Sequence, residues 1–442
     1  MSETVNNFKN WIQDQVYSDS DQSFTLSSEL RQPSLAVLDS GDFPTRKDEE
    51  WRNTPLHNLF SRTLEPATKD QVNLPLLEKL KQAVPKALQL VFVNGVFASE
   101  LSVDLSSEVP AGLKIKLMST LDPEARQRAE KSIRNAKLTD DNIFHHITLG
   151  LSHSGLFIEL AGNVEIEKPL HILYLSSANN SASFSNPLHV IRIGQNSRLK
   201  IIQQFASTAG VKAVTVPSDI IQLQEGAGLD LVKIGLESEE TDHVSNTAVE
   251  IAGSAILKAH QYLLGSRLTR SNLEVTFAGP GATADLRGLY LGDGSQHLDI
   301  RTYMDHAHPH CRSDQHFRGI MNDNSRGVFN GMVLVREHAQ QTDAQQSNKN
   351  LLLSRDARVD TKPQLEIFAD DVKCTHGATV GELDDDALFY LQSRGISRTD
   401  AVLMLTRAFS VEITQDIQIE TLRGYVEEEI ARRLDRIGSD HV

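Results

Sequence analysis

A turn recurs along the middle of this chain, and its interval limits the folds available. It consists of Asn or Gly, a small residue, any residue, then an apolar or small one. It stands at Asn196-Ser197-Arg198-Leu199, Gly226-Ala227-Gly228-Leu229, Gly253-Ser254-Ala255-Ile256 and Gly281-Ala282-Thr283-Ala284, at intervals of 30, 27 and 28 residues. Related turns at Asn324-Ser325-Arg326-Gly327 and Asp356-Ala357-Arg358-Val359 lie 32 apart. Between them run short alternating segments such as "LHILYL", "HVIRIG", "LDLVKIG" and "GVFNGMVLV". Segments of that length and alternation read as strands. A period near 30, all strand and turn, predicts a β-solenoid in which each coil stacks on the last and buries a continuous apolar column. A β-sandwich with regular turns is the competing architecture.

The flanks read differently. Residues 1–150 are mixed. Val5, Phe8, Trp11, Ile12 and Val16 recur at helical spacing. "LQLVFVNGVFASEL" reads as strand, Asn94-Gly95 turn, strand. "DPEARQRAEKSIRNA" opens a helix, with Asp122 as N-cap and Pro123 at its first position. Residues 151–383 form the predicted solenoid. Residues 384–442 return to helical period, with Asp384 and then Ser397 or Thr399 as caps and Gly395 as a stop. A third helix carries Glu427 to Glu429 early and Arg432, Arg433 and Arg436 late, as the helix dipole favours. A solenoid has an open end whose strand edges need cover. The C-terminal helices are expected to supply it and to offer a docking surface.

Of the 442 residues, 39% are hydrophobic and 23% charged, ordinary for a folded chain with a real core. No apolar run approaches the roughly 18 residues of a membrane span. The first residues show neither a basic region nor an apolar one, so a cytoplasmic location is the expectation. A net charge of −15 argues against nucleic acid or an anionic membrane as the main partner. Two cysteines fit a reducing compartment, where thiols ligate, react or pack.

Enzyme signatures are missing. There is no phosphate loop ending in Gly-Lys-Ser/Thr, so ATP hydrolysis is not expected of this chain. Cys-x-x-Cys, His-Glu-x-x-His and a nucleophile elbow are also missing. Two histidine-bearing stretches remain. "DHAHPHCRSDQH" holds Asp305, His306, His308, His310, Cys311, Asp314 and His316. It is dense enough for a divalent metal, although Pro309 and uneven spacing fit a solvated loop better. The other is "DVKCTHGATVG", residues 371–381. On a strand Val372, Cys374 and His376 share one face. Thiolate and imidazole together suit iron or zinc, while a packed cysteine beside a hydrogen-bonded histidine is the plain alternative. Two cysteines cannot furnish the four thiolates of an ordinary iron–sulfur cluster. Any cluster here would need ligands from another chain.

"VFNGMVLVREHAQQTDAQQSNKNLLLS", "VDTKPQLEIFADDVKCTHGATVG" and "LFYLQSRGIS" resemble the C-terminal signature of the SufB/SufD family, scaffolds of the SUF iron–sulfur cluster assembly system. "PTRKDEEWRNTPL", residues 44–56, resembles the N-terminal signature of its SufD branch, as does Lys373-Cys374-Thr375-His376-Gly377-Ala378-Thr379. The likeness implies a right-handed parallel β-helix core between an N-terminal mixed, partly helical domain and a C-terminal helical one. It implies a complex with SufB and two copies of the ATPase SufC, one docked on the C-terminal helices. The β-helix end carrying His376 would pair with SufB, and the cluster would form at that junction. By position His376 is the implied ligand for iron or cluster, with Cys374 a lesser candidate. The chain would be a scaffold without catalysis of its own. A reduced flavin in the complex and self-pairing through an uncovered edge are further options. Fold analogy alone would allow a polysaccharide-acting β-helix enzyme, and the 305–316 stretch a zinc module.

Overall fold

Residues 156–381 wind between two sheets, one of 12 strands and one of 10, as a parallel β-solenoid of about eight turns. The computed structural model describes residues 7–17, 26–66, 72–136, 142–177 and 182–439. Val5, expected on the first helix, lies outside them; that helix is Asn7–Tyr17, with Phe8 and Ile12 buried.

The register explains the sequence period. On the 10-stranded sheet Leu199 pairs with Leu229, then Leu257, Ala284, Ser313, Ala344 and Cys374, each one coil further on. All except half-buried Cys374 are buried, so this column faces the lumen. Aliphatic residues fill it early and small ones late, as close packing between facing sheets requires. At six successive entries to this sheet the backbone turns through positive φ, at Asn196, Gly226, Ser254, Gly281, His310 and Gln341. Glycine and asparagine adopt that region most easily, which is why the turn was visible as a motif. In the third turn the equivalent residue is Ser254, not Gly253, so the true intervals are 28 and 27. The related turns at 324 and 356 fall in the other sheet, where Arg326 pairs with Arg358. A Cβ on Gly226, at φ +65°, would lie 2.3 Å from Asn196 Oδ1. Gly226→Ala is therefore expected to cost about 1–2 kcal/mol and to lower the thermal midpoint measured by circular dichroism. An unchanged midpoint would show that the turn relaxes freely.

The closed end is sealed by antiparallel pairing. Leu113–Leu117 runs against Leu156–Leu160, and Leu88–Val93 turns at Asn94-Gly95 into Val96–Phe97. Asp122 caps Pro123–Asn135 through Ala125 N–H. The N-terminal helices, including Ile143–Leu151, which Asn142 caps through Phe144 N–H, pack Phe8, Leu38, Phe144 and Ile147 against Val214, Val244 and Leu268 of the 12-stranded sheet.

Asp384 and Ser397 cap the first two C-terminal helices, and Gly395 at φ +85° separates them. The third is Glu420–Ser439, so Glu427 to Glu429 sit in its middle and the first-turn acid is Glu420. These helices do not cover the open end. They lie on the outer face of the 10-stranded sheet, where Ile413, Ile417, Val426 and Ile430 pack on Ile202, Val232, Ile234 and Tyr262. That apolar stripe made a better helix seat than the strand edge. Strands Arg358–Ile367 and Lys373–Gly381 end their sheets, each with one edge unpaired by any described strand.

Candidate functional site

The open end presents Cys374, His376, Ala378 and Val380 on the lumen-facing side of its last strand, by strand alternation. Cys374 is half-buried and packs with Val372 against the solenoid core. Burial pushes its thiol pKa up, and Asp343 adds to this against the opposing Ala344 backbone hydrogen bond. A thiol raised in this way stays protonated at neutral pH and is a poor ligand until a metal displaces its proton. His376 lies on the same face but is exposed. The shared face was legible in the sequence; what alternation could not tell is that the next coil, which would bury it, does not exist.

Beneath His376 the lumen is polar. Its column runs Ile201, Leu231, Ala259, Leu286, Gln315, Gln346, His376. Apolar residues give way to amides over the last coils. Asn348 and Asn350, on the same face as Gln346, bond each other at 2.7 Å and both bond the Tyr290 hydroxyl. Deeper in, Lys233 Nζ donates to Asp219 Oδ2 at 2.6 Å and to Thr247, while Gln203 Nε2 donates to Asp219 Oδ1 at 2.7 Å. Sequence reading missed this lumen network, because Lys233 and Asp219 resemble any solvated charges on alternating strands.

The 305–316 stretch is not one loop. Asp305 and His306 end a strand, Arg312–Met321 is another, and only residues 307–311 turn between them. His306 is buried in the lumen, stacked on Phe277 with ring centroids 4.1 Å apart and bonded to Ser313 at 2.9 Å. Cys311 is buried with Sγ 3.3 Å from Gly279 O. His316 faces away, with Nε2 2.8 Å from Asp314 Oδ1. Asp305 holds Arg336 at 2.7 Å. Among the described residues no three His, Cys, Asp or Glu side chains converge as a metal site.

The segment 44–56 straps the 12-stranded sheet towards the same open end. Trp51 lies under the Arg270 guanidinium, 3.6 Å from its ring centroid. Thr54 donates to Asp299 at 2.5 Å, Glu50 pairs with Arg301, and Glu49 meets Lys362 of the last coil at 2.7 Å.

Apolar surface is exposed at two neighbouring places. Ile367, Phe368 and Val380 stand on the end coil; Phe389, Tyr390, Met404 and Val411 stand on the C-terminal helices. An open hollow of about 350 Å³ lies between, lined by Asn350, Thr379, Val380, Leu405 and Phe409.

Comparison with known proteins gives the family. The family profile described as "SUF system FeS cluster assembly, SufBD core domain" matches residues 174–409, and "SufBD protein N-terminal region" matches residues 3–172. The chain is 31% identical over 419 residues to the iron–sulfur cluster assembly protein SufD of Escherichia coli, covering 93% of this chain and 94% of that one. It is 30% identical to an iron–sulfur cluster assembly SufBD family protein of Synechocystis, over 89% of this chain and 88% of the other. A chloroplastic protein of Arabidopsis thaliana is 29% identical over 89% of this chain and 83% of its own.

Proposed function

The chain belongs to the SufB/SufD family of SUF-system iron–sulfur cluster assembly proteins, and on that premise we propose that it is the SufD-like subunit that joins SufB end to end while His376 holds iron or the nascent cluster at their junction. The observation that carries this reading is an exposed imidazole on the lumen face of a solenoid coil whose edge no described strand pairs. An unpaired strand edge is a template for another chain's strand. One imidazole is too few ligands, so the partner must complete the set. The cluster is cargo here, formed and passed on, not a resident group.

Cys374, protonated and half in the core, is read as a supporting thiol. The apolar residues of the C-terminal helices, Phe389, Tyr390 and Met404, suit docking of the ATPase SufC, whose hydrolysis would work the junction. The chain itself acts as a scaffold without catalysis. Its division is read as 1–150, 151–383 and 384–442, its location as the cytoplasm, and a reduced flavin in the complex as the electron source. Self-pairing through the same edge would compete with SufB in its absence.

The test is anaerobic. The chain is co-expressed with SufB and SufC, reconstituted with iron and sulfide, and both are counted per complex for wild type and His376→Ala. The expected result is an intact complex with cluster content reduced about tenfold or more, the scale on which losing a metal ligand or its support acts. A His376→Ala complex with full cluster would assign every ligand to SufB and leave this chain a purely mechanical role.

A further inference from the structure

The polar lumen under the end coil holds donors and acceptors that no described residue uses. Gln346 is 3% exposed, and neither Nε2 nor Oε1 has a hydrogen-bond partner among the described residues. It pairs in register with His376, one coil beneath it, a separation of about 4.8 Å. Gln315 Nε2, a coil deeper, is unpartnered as well, though its Oε1 accepts from Thr302 at 2.7 Å. Thr361 Oγ1, on the facing strand of the end coil, is a third such buried group. Elsewhere on this face the amides of Gln261, Asn348 and Asn350 are bonded, and Gln203 donates to Asp219 although its Oε1 is unpartnered among the described residues. Leaving a buried polar group unpaired costs its full desolvation, and a leucine of similar size would avoid that cost.

A glycine makes room for the amide. A Cβ on Gly331, across the lumen, would lie 2.1 Å from Gln346 Nε2. The amide therefore reaches across the coil to a position that only glycine permits. Two rungs of one column thus offer an imidazole above and an uncommitted amide below.

Resting on the His376 reading, we propose that Gln346 is a positioning residue, whose amide N–H donates to a sulfide of the group His376 holds. Hydrogen bonds to cluster sulfur raise its reduction potential, and outer-shell contacts fix how firmly a metal group is held. Gln346 has no partner among the described residues because its partner arrives with the cargo.

The test compares Gln346→Leu, Gln346→Glu and His376→Ala in the co-expressed complex reconstituted with ferrous iron and sulfide. Readouts are iron and sulfide per complex, the paramagnetic resonance spectrum, the midpoint potential and the thermal midpoint of the free chain. Gln346→Leu should hold iron about tenfold less firmly, or bind a cluster with a lower potential and altered spectrum. The free variant should melt no lower than wild type, since a lone buried amide is removed. A structural glutamine would do the reverse, lowering the melting point and leaving the spectrum alone; that result overturns the proposal. If Gln346→Leu fails to fold, Gln346→Glu carries the test, because it keeps the shape and loses the donor. Wild-type loading, spectrum and potential in Gln346→Glu would then overturn it. If His376→Ala keeps a wild-type cluster, the underlying reading has failed. If His376→Ala loses the cluster and both glutamine variants keep it unchanged, this inference alone has failed.

Discussion

Acidification from pH 6.5 towards pH 4 is expected to remove most of the chain's folding stability. Burial holds the pKa of His171, His189, His260, His297 and His306 down to about 4, and that of His145 to about 3. They occupy every layer: His189 and His306 the lumen, His171 and His260 the outer face of the 10-stranded sheet, His297 the 12-stranded sheet beneath the strap, His145 a packed helix. In the unfolded chain each would titrate near 6.5. Between those values the unfolded state binds more protons, so stability rises with pH and is lost as pH falls. By pH 5 each costs about 2 kcal/mol, and the six together rival the whole stability of a typical domain. Asp242 and Asp285, raised by burial, act in the opposite sense, but in the carboxylate range and in smaller number. Thermal midpoints from pH 7.5 to 4.5, with proton uptake on unfolding, would check this. A midpoint flat over that range would show the imidazoles to be solvated. His306→Phe, which keeps the stack on Phe277, should lower the proton uptake by nearly one.

The second large effect concerns Lys233 and Asp219. Asp219→Leu or Lys233→Met alone is expected to cost about 3–5 kcal/mol, because each strands a charge in the lumen. The double variant Asp219→Leu with Lys233→Met should recover most of that loss, since both desolvation costs vanish with the charges. Burial pushes the Asp219 carboxyl up, but Lys233, His189 and the hydrogen bonds from Lys233 and Gln203 outweigh it and hold its pKa below the usual range. Its contribution is thus complete above that range and lost as pH falls through the lowered value. Denaturant unfolding of the four proteins measures the cycle. Simple addition of the two single losses in the double variant would sink the argument.

How far the sequence spoke depends on what each residue faces. The turn rows were legible because positive φ selects Gly and Asn, and those residues repeat. Even so, Ser254 took the glycine's place in one coil, and the register slipped by one on paper. Strands such as Thr241–Ile251 and Arg312–Met321 were harder to read. The first buries its outward Asp242 and Asn246 against Arg62 and Asn142, and the second turns polar Ser313 and Gln315 into the lumen, so both mimic loops. The Cys374–His376 face followed from alternation alone. Gln346 did not, since its meaning depends on Gly331 across the lumen and on the end of the stack. Capping residues Asp122, Asp384 and Ser397 were readable because a cap is a local bargain between one side chain and the next turn. Where the C-terminal helices settle was not readable, because it is decided by an apolar stripe assembled from five coils.

The unpaired end coil has a consequence for how the molecule breathes. A stack whose members touch only their neighbours behaves as a one-dimensional chain, and its last member has one neighbour instead of two. Amide hydrogens of residues 358–381 should accordingly exchange with solvent soonest among the coils, opening by fraying while the middle stays shut. A second chain seated on that edge would convert the last member into an interior one. Protection would then spread inward from the junction, so that assembly could be timed, residue by residue, by the slowing of exchange along the column that ends at His376.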